Sequence, residues 1–275
     1  MNFPGTLRAE FVKLVSTRLW WVLALILFVY VAFTAGILAG VFGGLGDQIA
    51  ASGQRAPQIP AGELHKIVYS VASTVGYVFP VLLGALATTS EFRHQTLTPT
   101  FLATPRRGGV LVAKLVTMAV AGATYGVVSV VASIGLGAPI LAGTGNDAAL
   151  GAENTWLLVS RVVLAMALWA VIGVGLGVLI PSQVAAIVVV LAFTQFVEPI
   201  LRAGASVWEW TAEVGKFLPG AASDALVGSS IFTSLAQGTS TVRVLEWWQG
   251  GLVLLGIAVV AAAAGYLTSW RRDVT

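Results

Sequence analysis

Six long apolar runs, each about 17 to 27 residues and almost free of charge, limit what this chain can fold into. They cover residues 19–42, 67–89, 115–141, 162–180, 184–200 and 251–270. A bilayer's hydrocarbon core is crossed by about 20 helical residues, and inside it every backbone N–H and C=O must be paired within the protein. The runs therefore predict an all-α membrane protein with six transmembrane helices. Only 10% of the 275 residues are charged and 57% are hydrophobic. A soluble domain needs about 25% charged residues to solvate its surface. The net charge of +3 is spread over the ends of the apolar runs, a pattern of membrane orientation and not of nucleic-acid binding. With no cysteine, disulfides and thiolate metal sites are excluded.

Lys and Arg set the orientation. One side gathers Arg8, Lys13, Arg18, Arg93, Arg106, Arg107, Lys114, Arg271 and Arg272. The other has Arg55, Lys66, Arg161, Arg202, Lys216 and Arg243, so the split is nine to six. The positive-inside rule then places both termini and the 91–114 segment in the cytoplasm, with the chain in the cell (inner) membrane. The first run follows 18 residues that contain three cations and is too long for a signal-peptide core, so it is expected to remain as the first span. Pro181, Ser182 and Gln183 alone separate the fourth and fifth runs, which predicts a tight helical hairpin. No internal repeat or soluble-domain boundary is visible, and residues 1–275 read as one membrane domain.

Two segments on the cation-rich side stand out. In residues 1–18, Phe3, Leu7, Phe11, Leu14 and Val15 recur at helical spacing, with Arg8, Lys13 and Arg18 elsewhere. This predicts a basic amphipathic helix lying in the membrane interface, where it anchors topology or touches a cytoplasmic partner. In residues 91–114, Pro99 and Pro105 each limit helix continuation at the residue before. Leu97, Phe101 and Leu102 would form a small apolar face flanked by Glu91, Arg93, Arg106 and Arg107. A loop that only set topology would need the charges but not the face.

The order Glu91, Thr96-Leu97, Leu102-Ala103-Thr104-Pro105, Arg106-Arg107 and Lys114 resembles the loop between the second and third spans of type-2 ABC transporter permeases, the membrane halves of bacterial exporters. The family usually has a glycine before the threonine, where this chain has Gln95. The basic start before Trp20-Trp21, the six spans and Leu218-Pro219-Gly220 extend the resemblance over most of the chain. It implies that Glu91, Arg93, Thr96, Leu97, Phe101, Leu102, Pro105, Arg106 and Arg107 form a coupling helix docked on a dimeric cytoplasmic ABC ATPase. ATP and Mg would bind that partner and no cofactor would bind this chain. A second permease copy or a similar permease would complete the pathway, and substrate would move outward by alternating access. It also implies short re-entrant helices within the external loop, residues 202–249. There an apolar stretch near 225–235 is too short to span. Trp208, Trp210, Trp247 and Trp248 fit the outer aromatic belt.

Glu198 is the one acid inside an apolar run, with Gln195 and Arg202 within about one helical turn. It reads either as half of an i,i+4 pair with Arg202 or as a polar gate beside Pro199. Gly122-x-x-x-Gly126 and Gly173-x-x-x-Gly177 predict close helix packing, within the subunit or across a dimer. No G-x-x-x-x-G-K-[ST] loop occurs and no nucleophile–base pair is visible in the spans, so the chain itself is not expected to be an enzyme. Ion-coupled transport would call for more ionisable groups at membrane depth. A non-transporting scaffold or sensor accessory is the alternative of a different class. Apolar walls suit a hydrophobic drug, lipid or peptide without choosing among them.

Overall fold

A computed structural model describes residues 3–44, 62–104, 106–205, 209–230, 232 and 244–270. Helix α1 covers Phe3–Ser16 and α2 covers Leu19–Gly44. The second span is two helices, α3 (Leu64–Thr74) and α4 (Val78–Arg93), followed by the short α5 (Leu97–Ala103). The third and fourth spans are α6 (Arg107–Gly143) and α7 (Glu153–Leu179). The fifth joins α8 (Gln183–Ala192) to α9 (Glu198–Ala205) through a π-helical turn, Phe193–Val197. Helices α10 (Glu209–Gly215) and α11 (Pro219–Val227) precede the sixth span, α12 (Trp247–Gly265), which ends in a second π turn, Tyr266–Trp270. Six of these stretches are long and apolar enough to cross a membrane, and no strand occurs among the described residues.

The helices outrun the apolar runs at several ends. Helix α6 starts at Arg107 and α7 at Glu153, because a helix need not stop where polar residues begin. At 37 residues α6 is roughly 55 Å long, well over the thickness of a bilayer's hydrocarbon core. Three local features depart from a plain reading of the runs. The second span is interrupted at Val75–Tyr77, since Pro80 has no N–H for the Gly76 carbonyl and its ring crowds that oxygen. Phe79 N donates to Gly76 O instead, at 3.1 Å. Pro99 does not hold back its helix. It falls in the first turn of α5, where a missing N–H costs nothing. In the fifth span the wide turn ends two residues before Pro199 and contains Gln195, where it relieves the same ring–carbonyl conflict.

Helix α7 is the hub and packs on α4, α6 and α12. Small residues permit the close approach. A Cβ on Gly122 would collide with the Met166 backbone, and one on Gly126 would lie 2.7 Å from Val163 Cα. One on Gly173 would strike the Val81 carbonyl oxygen, and one on Gly177 would lie 3.0 Å from Ala85 Cα. Both G-x-x-x-G faces are thus used inside the subunit. Because the colliding atoms at Gly173 are backbone, Gly173→Val should destabilise the bundle by about 1–3 kcal/mol, measured by unfolding in mixed micelles. A variant as stable as wild type would refute the α4–α7 contact. The fourth-to-fifth connection is as short as expected, with Ser182 capping α8 through Ala185 N, yet the fifth span leans on α4 more than on α7.

Around α1 and α11 the pattern is less simple. Thr6 and Glu10 are the buried residues of α1, whereas Phe3, Phe11, Val12 and Val15 are exposed. The face turned to the protein is therefore polar, with Leu14 packed beside it. Among the described residues of 202–249 a short apolar helix, α11, begins ahead of the expected stretch near 225–235 and covers its start; residues 231 and 233–235 of that stretch lie outside the described residues. Helix α11 is almost wholly buried against α7, α12 and α3. It ends at Gly228, whose φ of +87° suits glycine. Trp247 and Trp248 are exposed, and the Arg161 guanidinium stacks 5.0 Å over the Trp247 ring. Trp208, the Trp210 side chain, Pro105, Arg271 and Arg272 lie outside the described residues.

Candidate functional site

Among the described residues, buried ion pairs gather at two places. At the cation-rich end, four charges from three helices meet. Lys114 Nζ of α6 contacts Glu10 Oε2 of α1 at 2.5 Å and Glu91 Oε1 of α4 at 3.1 Å. Lys13 Nζ reaches Glu10 Oε1 at 2.6 Å and Glu91 Oε1 at 2.8 Å. The Lys114 and Glu10 side chains are each 2% exposed. Burial opposes ionisation of Glu10, but Lys114 and Lys13 outweigh it and hold the carboxyl below its ordinary range. Burial likewise works against the Lys13 ammonium, and Glu91 and Glu10 overcome it, leaving that group above its ordinary value. Lys13 also lies 3.5 Å from Thr100 Oγ1, which brings α5 into the same knot.

Helix α5 is clamped from beneath. Leu97 is buried, and Phe101 meets Trp270 edge-on at 5.4 Å. The Trp270 indole also packs on Phe92 and donates to Arg107 O at 3.0 Å, drawn inward by the second π turn. Leu97 and Phe101 therefore do not share a free face with Leu102, as the sequence suggested. Leu102 alone stands out, 80% exposed, beside exposed Pro99 and Arg106. The Arg107 guanidinium lies 5.0 Å over the Phe101 ring. Arg93 is exposed and donates to Gln183 Oε1 at 3.0 Å, and Thr96 N donates to Glu91 O at 3.1 Å. Arg8 and Arg18 are exposed.

Gln95, between α4 and α5, has φ of +54°. An L-residue is strained there by about 1–2 kcal/mol, and glycine is not. Gln95→Gly should therefore leave stability unchanged or raise it by up to about 1 kcal/mol, read from the same micelle unfolding. A clear loss would mean that the side chain is needed.

At the opposite end, α9, α11 and the interruption between α3 and α4 enclose a cavity of about 130 Å³. Arg202 Nη2 binds Asp224 Oδ2 at 2.6 Å, while its Nε is 3.8 Å from Glu198 Oε1. The i,i+4 pair is present but is the weaker half of the arrangement. Asp224 further accepts from Ser230 Oγ at 2.8 Å and Thr74 Oγ1 at 3.5 Å. Next to it, Ser223 Oγ accepts from Trp169 Nε1 at 3.0 Å and lies 3.3 Å from Ser73 Oγ. The Glu198 carboxylate accepts from Gly220 N, at the N-terminus of α11, where Pro219 occupies the first turn. A Cβ on Gly220 would collide with that carboxylate, so Leu218-Pro219-Gly220 has a local reason: extended entry, proline start, glycine under an acid. Gln195 is exposed at the cavity's edge and its amide lies 3.4 Å from Thr194 Oγ1.

Asp224, Thr74, Ser223 and Trp169 were not singled out from the sequence. A lone Asp within Ala221-Ala-Ser-Asp-Ala and an adjacent Ser73-Thr74 inside an apolar run were the available signals. The fold defines a helical, multi-pass membrane protein with a polar knot at one end and a polar cavity at the other. The sequence matches no protein-family model and no curated protein.

Proposed function

We propose that the chain is the membrane-spanning permease subunit of an ATP-driven ABC exporter of the type-2 class, working with a separate cytoplasmic ATPase dimer that binds ATP and Mg. The observation that supports this most is the short helix α5, set between two spans beside a buried charge knot, with Leu102 exposed near its end and Arg106 exposed at the start of the next helix. A push there reaches α1, α4 and α6 together. In this reading α1 lies at the inner interface with Phe3, Phe11 and Val15 in lipid, both termini are cytoplasmic in the cell membrane, and α11 is re-entrant from outside. The least covered spans, the first and fifth, face lipid or a second permease, and the pathway opens outward when ATP closes the ATPase dimer.

Purification in mild detergent from the native host, followed by an ATPase assay, tests it. A soluble ATPase should accompany the wild type. Leu102→Glu with Arg106→Glu should cut the associated activity at least about tenfold, a loss of about 1.4 kcal/mol of binding, without changing insertion. Absence of a nucleotide-hydrolysing partner under conditions that preserve complexes would overturn the reading and favour a scaffold or sensor accessory.

A further inference from the structure

The cavity at the end opposite the charge knot has an unbalanced charge inventory. Two carboxylates, Glu198 and Asp224, face one guanidinium, Arg202, and the shorter ion pair goes to Asp224. Glu198 Oε1 is engaged by the start of α11. The backbone N–H groups of Gly220 and Ala221 both lie toward the Glu198 carboxylate, yet among the described residues its Oε2 makes no well-formed hydrogen bond, although the residue is only 2% exposed. A buried carboxylate oxygen with no donor is costly unless something supplies one. Among the described residues the other walls offer no second cation. Thr194 and Tyr77 are neutral and paired with backbone, and the Arg202 guanidinium is further covered by the Phe232 ring at 4.9 Å. Tyr30 and Gln195, both exposed, mark the mouth toward the sparsely covered first and fifth spans. An engineered cavity of similar size, about 150 Å³, holds a benzene-sized group.

We infer that this cavity binds the protonated amine head of a small amphiphilic ligand, its ammonium donating to Glu198 Oε2 beside the Tyr30 ring and its apolar part directed out between the first and fifth spans. Charge balance selects the ammonium over a carboxylate or phosphate, which would meet two acids. An aromatic face near the mouth adds attraction for a cation. As a substrate class the inference rests on the permease reading, but as a binding site it does not.

The test is calorimetric titration of the purified protein in lipid nanodiscs with hexylammonium, hexanol and hexanoate, with empty nanodiscs as the blank. No ATPase is required, so its outcome is independent of whether a partner co-purifies. Hexylammonium should give a saturable signal, hexanoate none, and hexanol binding at least about tenfold weaker. Glu198→Gln, which keeps the acceptor for Gly220 N and removes the charge, should weaken hexylammonium at least about tenfold. Tyr30→Ala, at the exposed mouth and outside the polar network, should weaken it severalfold. Hexanoate binding as well as hexylammonium, no saturable hexylammonium signal, or unchanged affinity in Glu198→Gln would each overturn the inference.

Discussion

Lys114→Met should lower the unfolding free energy by about 3–5 kcal/mol, because it strands two buried carboxylates. In the wild type the Lys114 ammonium lies between Glu10 at 2.5 Å and Glu91 at 3.1 Å. Without it, both acids depend on Lys13, whose side chain is 39% exposed and already shared between them. Glu91 Oε2 has no partner among the described residues even with Lys114 present, so the site has little spare donor capacity. The damage should fall first on α1, which α6 holds through this contact. Trypsin should then cut faster at Arg18, exposed in the bend between α1 and α2. The double variant Glu10→Gln/Lys114→Met should recover at least about 1 kcal/mol of the sum of the single losses, as coupled neighbours do. Losses that simply add, with no change in cleavage at Arg18, would show that the four charges are not a unit.

That knot also marks how far the sequence could be read. The six spans were legible because an apolar run long enough to cross a bilayer has few other uses, and their cores match the helices found. The cations of the 91–114 segment and of α1 were legible as charges on one side of the chain's apolar runs. Their pairing was not, since Lys13 and Glu91 are 78 positions apart and meet only because α1 folds back on α4 and α6. Helical spacing put Lys13 away from the apolar stripe of α1 and gave it no partner within the chain, whereas the polar face is the one that docks. The same limit applies at the other end. Glu198–Arg202 could be read at i,i+4, while the stronger partner, Asp224, arrives on a different helix. Pro80 and Gly76 carried a readable sign of the break in the second span, four residues apart inside an apolar run.

Arg202→Leu should be the most damaging single change at the cavity end, again by about 3–5 kcal/mol near neutral pH. It leaves Asp224 and Glu198 buried together with only hydroxyl and backbone N–H donors and, among the described residues of the cavity, no cation. Asp224→Asn should cost less. Arg202 would then need to move only from 3.8 Å to contact distance to engage Glu198, and Ser230 could still donate to the new side-chain oxygen. The ordering Arg202→Leu worse than Asp224→Asn therefore follows from one cation serving two acids. The pH response follows as well. Burial already pushes the Asp224 carboxyl above its ordinary range despite Arg202, and loss of the guanidinium removes the largest influence opposing that push, leaving only the Ser230 and Thr74 hydrogen bonds against it. A carboxyl whose folded-state pKa is raised binds more protons folded than unfolded, so stability falls as pH rises from its unfolded value of about 3.9. The Arg202→Leu defect should thus be largest at neutral pH and shrink as the pH is lowered toward about 4. Unfolding of both variants in mixed micelles, from about pH 4, where an unfolded aspartate titrates, up to about pH 7, checks both claims. A defect that does not change with pH, or an Asp224→Asn variant less stable than Arg202→Leu, would remove the electrostatic account of this end of the bundle.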